Sequence, residues 1–332
     1  MAAVDTNIAA NRSGVPGVNA PRGADPPPAS RATGGTAARK RHERLMFGVM
    51  TLGMLLVMVP TALIFFTIVA NGYRQLSVEF LTKPPLDGGQ AGGIAPAILG
   101  TFGLMMGTIL LSLPLGIFAA IYLSEYARKG PIVRVVRMGI VNLAGVPSIV
   151  HGLFGLGLFV LFLGGQLDRL LRHDQPIWQN STLLWGSATL AVLVLPVVIT
   201  ATEEALQSVP QSFREGSMGL GATKWQTIRK VILPAAVPGI LTGAILAVGR
   251  AAGETAPILL TAALSWTSRT GFPRPSEAVM ALPYHLYYVV TQVANAPLRM
   301  QYGIALTLLL LVFFVNLSAI ILRARLRRAR KW

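Results

Sequence analysis

Arg250 and Glu254 stand four residues apart in the stretch GRAAGETAPI, inside an otherwise uncharged apolar run. On a helix that spacing puts the two side chains on one face and within reach of each other. An ionised side chain in a bilayer costs at least about 2.5 to 3.5 kcal/mol, so the two must face each other or a water-filled path. A guanidinium forks onto a tetrahedral oxyanion through parallel hydrogen bonds, and a neighbouring carboxylate tempers its charge so that the anion can also leave. An ion pair that merely lets a polar helix pack is the competing reading of the same residues. At 1.5 Å per residue, Arg250 lies about 24 Å along a helix counted from Pro234, toward one end of a membrane-spanning segment.

A second stretch, residues 205–235, reads ALQSVPQSFREGSMGLGATKWQTIRKVILPA. It divides into two short helical pieces joined at Gly221. Ser208 before Pro210 is placed to start the first piece and Thr223 to cap the second, on which Trp225, Ile228 and Ile232 share an apolar face. Physics alone allows an exposed helical hairpin or an interfacial helix lying on lipid.

Other chemistries find no residues to carry them. Cysteine is absent, so disulfides and thiolate metal sites are excluded. The histidines, His42, His151, His173 and His285, are scattered without metal-ligand spacing, and a packed histidine is the ordinary reading of His151. None of the six lysines is followed by Ser or Thr, so the phosphate-cradling loop of an ATP-hydrolysing chain is missing. No nucleophile and base can be assembled in one compartment, and the chain is expected not to be an enzyme and to need no cofactor or metal.

The elements that must position these residues are membrane helices. The 332 residues are 53% hydrophobic and only 13% charged, more apolar surface than a soluble core can hide. Six stretches reach the roughly 20 residues that cross a bilayer, near 45–70, 95–123, 139–163, 182–204, 236–265 and 302–322. Pro114, Pro147 and Pro196 fall in the second, third and fourth, which are therefore expected as bent spans. Of the 29 Lys and Arg residues, 21 lie in the two terminal segments and the second and fourth loops. The positive-inside rule then places both termini in the cytosol of a multi-pass cell-membrane protein. Residues 1–44, rich in Ala, Gly and Pro, are expected as a disordered basic tail. Residues 323–332 form a basic C-terminus that meets anionic lipid, and no nucleic acid is expected as a partner. Tyr284, Tyr287 and Tyr288 lie in an outer loop, placed to sit at the membrane interface or to receive an extracytoplasmic protein.

Glu215, Gly221 six residues on, and Val231, Ile232, Leu233 and Pro234 resemble the EAA loop of ABC-importer permeases, with Gly216 and Ser217 in place of two alanines and Val231 in place of an isoleucine. The stretches GGIAPAILGT, VPSIVHGLFGL and GRAAGETAPI narrow the resemblance to the phosphate-specific permeases of the PstA type, over about residues 45–322. The resemblance implies an all-α protein with six transmembrane helices in the type I ABC importer permease fold. It implies that Glu215, Gly221 and Pro234 belong to a loop that couples to a separate ATPase, and that Arg250 and Glu254 lie on the phosphate path. The partners it implies are two copies of an ATPase subunit, a second homologous permease and an extracytoplasmic phosphate-binding protein. A permease for sulfate or molybdate, or an ion-coupled secondary transporter, would be the alternatives.

Overall fold

The computed structural model describes residues 35–128, 130–172 and 175–329. Most of the expected tail, residues 1–34, and the last three residues lie outside the described residues. The chain divides into two units, one ending at Ala62 and the other beginning at Leu63.

Within the first unit the chain is helical from Gly35. The helix α1 (Gly35–Gly72) thus starts ahead of the expected apolar boundary at Leu45. Arg39, Lys40, Arg41, Glu43 and Arg44 are straight-chain helix formers with nothing to break the turn before them. From Leu52 to Val59 apolar residues occupy every side of this helix, the pattern of a segment surrounded by apolar material.

The second unit contains α2 (Val78–Thr82), the two-residue strands β1 (Pro85–Leu86) and β2 (Ala91–Gly92), paired antiparallel, and α3 (Ala95–Ile121). It continues with α4 (Pro131–Ala144), α5 (Ser148–Gly155), α6 (Gly165–Leu170) and α7 (Leu183–Gln207). The hairpin helices α8 (Gln211–Gly219) and α9 (Lys224–Thr227) follow, then α10 (Leu233–Gly253), α11 (Ala256–Thr261), α12 (Leu282–Thr291) and α13 (Leu298–Ala329). Wider π-type turns at Tyr122–Tyr126, Leu156–Gly164 and Ile228–Ile232 extend or join these helices. Among the described residues, six helical runs are long and apolar enough to cross a membrane: Arg39–Gln75, Ala95–Tyr126, Ser148–Leu170, Leu183–Gln207, Lys224–Gly253 and Leu298–Arg325.

Two of the six expected spans are interrupted where continuous helix was anticipated. The third stops at Ala144 and restarts at Ser148, with Pro147 in the cap position; proline disfavours helical geometry in the residue before it and lacks a donor of its own. The fifth ends at Gly253, where Glu254 turns to extended backbone with ψ 127°, and α11 begins two residues later with Pro257 in its first turn. The breaks meet: a Cβ on Gly152 would lie 3.0 Å from Pro257 Cα and 3.1 Å from the Ala256 carbonyl, so any side chain there would press α5 and α11 apart by a few tenths of an ångström. Pro114 and Pro196, by contrast, sit inside unbroken helices.

α7 is the central element, packed on α3 and α10 and touched by α4, α5 and α11. Small residues set the spacing, as is usual where helices cannot rely on water to drive them together. Cβ atoms on Gly239 and Gly243 would fall 2.5 and 2.6 Å from those of Ala205 and Ala201. One apolar cluster joins Ile121, Leu123, Ile199, Leu206, Ile228, Ile232 and Ile240 at the end where the 208–223 hairpin emerges. Another joins Phe80, Ile94, Met280, Leu282, Val289, Met300 and Ile304 at the far end. There the end of α11 and the segment after it satisfy the amides at the start of α7, since Thr182, Leu183 and Leu184 donate to the carbonyls of Thr261, Glu277 and Pro275 at 2.7 to 3.0 Å.

Candidate functional site

Arg250 lies in the last turn of α10, where exposed helix carbonyls favour a cation. Its Nε is 3.4 Å from Glu254 Oε1, so the sequence pair does meet, across the broken end of the helix rather than along a continuous face. The side chains are 35% and 19% exposed, so the pair opens onto space rather than being sealed in the bundle. Glu254 takes only the Nε edge. Among the described residues the two terminal nitrogens of the guanidinium have no hydrogen-bond partner, which leaves free the fork that a tetrahedral anion would engage. Asn316 of α13 sits beside this turn, near the position a Cβ on Gly249 would occupy, and its buried Oδ1 has no partner among the described residues. α11, on the other side of the break, is held by α5 and α7, so the pair stands where interrupted spans converge.

The second set of predicted residues lies at the opposite end of α10. Glu215 is exposed on α8. Gly221 follows with φ +87°, and no atom lies within 4 Å of where its Cβ would be, so glycine is there for its backbone conformation and not for space. Thr223 caps α9 in a reciprocal arrangement with Gln226, as expected. Ser208 does not start α8: it ends α7, its hydroxyl donating to the Ala205 carbonyl at 2.8 Å, and Pro210 holds the cap position instead. Ile228 and Ile232 are buried while Trp225 is 47% exposed, so the shared apolar face is only partly covered. Pro234 is in the first turn of α10, directly after the π-type turn; without an amide proton it cannot close the ordinary i to i−4 bond there. The structure therefore keeps Glu215, Gly221 and Pro234 in one segment and holds Arg250 and Glu254 apart from it, about 24 Å along the helix from Pro234 by its rise.

Ion pairs between residues distant in sequence escaped the sequence reading. Arg214 binds Glu125, 89 residues earlier, with Nη2 and Nε at 3.0 and 3.3 Å from Oε1. Arg137 of α4 binds Glu203 of α7 at 3.0 Å and also donates to the Leu123 carbonyl, beside an open groove of about 790 Å³ along α4. The charges themselves were visible in sequence, but nothing local couples residues so far apart. Outside the spans, the Arg274 backbone amide and the Arg269 guanidinium hold the Glu277 carboxyl below the usual carboxylate range. His285, fully buried on α12, is pushed down to about 4 by burial, partly opposed by the Ser265 backbone.

Residues 112–332 match the family described as binding-protein-dependent transport system inner membrane component. A probable ABC transporter permease protein, YqgI of Bacillus subtilis strain 168, is 34% identical over 76% of this chain and 85% of its own length. The phosphate transport system permease protein PstA 1 of Mycobacterium tuberculosis H37Rv is 36% identical over 73% of each chain. Among solved structures, a chain of a bacterial ABC transporter that imports the acidic polysaccharide alginate superposes with a TM-score of 0.60 at 16% identity, covering 87% of this chain and 98% of that one. Such relatives are transport components and not enzymes, and their six-helix ABC importer permease architecture is the one found here. By the family match and the similarity to these permeases, the chain belongs to the inner membrane components of binding-protein-dependent transport systems.

Proposed function

We propose that this chain is a permease subunit of an ATP-driven importer of inorganic phosphate, and that the anion passes Arg250 and Glu254. The observation that carries the reading is the partly exposed guanidinium of Arg250, held at one edge by Glu254 with its terminal nitrogens free of protein partners among the described residues. Irregular backbone at membrane depth is tolerated where it is buried in protein or lines a water-filled cavity, and the pair sits at such a break. Phosphate rather than another anion is supported by the relatives named as phosphate transport permeases, in Mycobacterium tuberculosis and Haemophilus influenzae among others.

In this reading the chain pairs with a second homologous permease and two copies of an ATPase subunit, and a phosphate-binding protein delivers cargo at the far end. Both termini and the 208–223 hairpin face the cytosol. ATPase closure acts on the hairpin carrying Glu215 and Gly221, and Pro234 opens the span through which that motion travels to the Arg250 region. The chain breaks no bond itself.

Uptake of labelled phosphate, with sulfate and molybdate as competitors, tests this in cells lacking the chain and resupplied with wild type or Arg250→Gln. Wild type restores ATP-dependent uptake that the other anions do not inhibit, and the variant loses at least about tenfold, the worth of one charge-assisted hydrogen-bonded contact. Phosphate uptake independent of this chain would remove the cargo assignment. Inhibition by sulfate or molybdate would point to a broader oxyanion permease, and uptake driven by an ion gradient to a secondary transporter.

A further inference from the structure

At the hairpin end of the bundle, one carboxylate ties together elements that the chain order keeps apart. Glu125 is in the π-type turn that closes the second span. Its side chain accepts from Arg214 on α8, and both side chains are largely buried, 10% and 13% exposed. Arg214 does more than pair. Its Nη1 donates to the Val209 carbonyl at 2.5 Å and its Nη2 to the Leu206 carbonyl at 2.7 Å, gripping the backbone at and just beyond the C-terminal end of α7. The backbone carbonyl of Glu125 accepts from Lys224 at the start of α9, and the Lys224 ammonium lies 5.0 Å from the centroid of the Tyr126 ring. The Ser217 and Thr227 hydroxyls, 2.9 Å apart, close the hairpin between α8 and α9. The second span, the end of the fourth and the start of the fifth are thus all fastened at Glu125 and Arg214, around a cavity of about 390 Å³ lined by Gln207, Gln211, Arg214, Lys224 and Thr227.

The rest of the hairpin is lightly held. Apart from Arg214 and Ser217 every residue of α8 is exposed, and Leu220 at its end is 92% exposed. A hairpin displaced from outside could swing on its own backbone without moving the bundle if apolar packing were its only attachment. A multidentate guanidinium in a largely buried site is directional and resists such swinging.

We propose that the Glu125–Arg214 pair is the clamp that transmits displacement of the hairpin to the second, fourth and fifth spans, so that losing it lets ATP be hydrolysed without moving the bundle. This rests on the permease reading given above. Both residues act through position and touch neither nucleotide nor cargo.

The test uses the assembled importer in proteoliposomes, with ATP hydrolysis and phosphate uptake measured together. The chain has no cysteine, so a single Ser265→Cys, half-buried beyond α11 at the far end, reports bundle movement as a change in maleimide labelling rate when ATP is added. In Glu125→Gln and Arg214→Gln, assembly and ATP hydrolysis persist while phosphate moved per ATP falls about tenfold or more, in line with coupling through one buried network, and ATP no longer alters labelling. Glu125→Asp, which keeps the carboxylate, recovers part of both readouts.

The clamp is overturned if the Gln variants keep the wild-type ratio and labelling response, or if hydrolysis and uptake fall in step. It is also overturned if Glu125→Asp does no better than Glu125→Gln. A wild-type complex that hydrolyses ATP and changes its labelling but moves no phosphate would refute the cargo assignment alone, and the labelling response of the variants would still decide the clamp.

Discussion

At the scale of single residues, chemistry readable in sequence and chemistry made by folding separate cleanly. Arg250 and Glu254 were legible because two charges in an apolar run are costly and four residues apart are neighbours. What sequence could not supply is the geometry of their meeting, across a helix end, which leaves the terminal nitrogens of the guanidinium free among the described residues. His285 carries a prediction of its own. Burial holds it near 4 against an ordinary value of 6.5, so above about pH 6.5 the imidazole is neutral folded or unfolded and contributes no pH dependence. Between 6.5 and 4 only the unfolded chain takes the proton, so stability falls as the pH drops, by up to about 3 kcal/mol at the lower end. Thermal unfolding of the purified protein in detergent from pH 7.5 to 4.5 is expected to show a falling midpoint, with a shallower fall in His285→Phe. Equal slopes for the two proteins would reject this origin.

At the scale of elements, the hairpin depends on one backbone conformation. Gly221 has φ +87° with open space around it, so substitution is limited by strain of about 1 to 2 kcal/mol and not by collision. Gly221→Val is expected to reach the membrane in normal amounts and to lose transport, because the angle between α8 and α9 changes. Gly221→Asn, which tolerates left-handed backbone better, retains more uptake. Uptake normalised to membrane content checks the order, and a Val variant as active as wild type would separate the hairpin from transport. The interruptions at Pro147 and Gly253 were only half visible: proline marked a bend, but Gly253 and Pro257 lie within an apolar run whose average hydropathy hides a turn. Continuous spans were expected because length and hydropathy are sums, insensitive to where a backbone bond is missing.

At the scale of the whole molecule, six apolar runs and the bias of basic residues support the proposed topology, which can be tested directly. Accessibility tags at either terminus and within residues 208–223 are expected to be protected in intact cells, while a tag in residues 266–276 is reached from outside. A terminus found outside would invert the assignment of cargo entry and ATPase contact together. The two charge sites occupy opposite ends of α10, so α10 itself and the helices packed on it connect the hairpin to Arg250. That packing is dense between α3, α7 and α10, where glycines let backbones approach. A bundle packed this closely moves as a body and does not bend locally.

The sequence by itself determined the all-helical membrane class, the number of spans, the hairpin with its glycine joint and the charged pair in the fifth span. Each of these follows from local properties: hydropathy over about 20 residues, the preference of a turn for glycine, and the cost of a charge in an apolar run. Only the tertiary structure decided that the breaks in the third and fifth spans meet at Gly152 and Pro257, and that Glu125 fastens Arg214 and Lys224. Those contacts join residues about 90 to 105 positions apart, and no local rule of spacing or propensity selects one distant partner over another. They are chosen when the helices pack, because a bilayer-spanning bundle must find partners for the charges and backbone groups it has withdrawn from water.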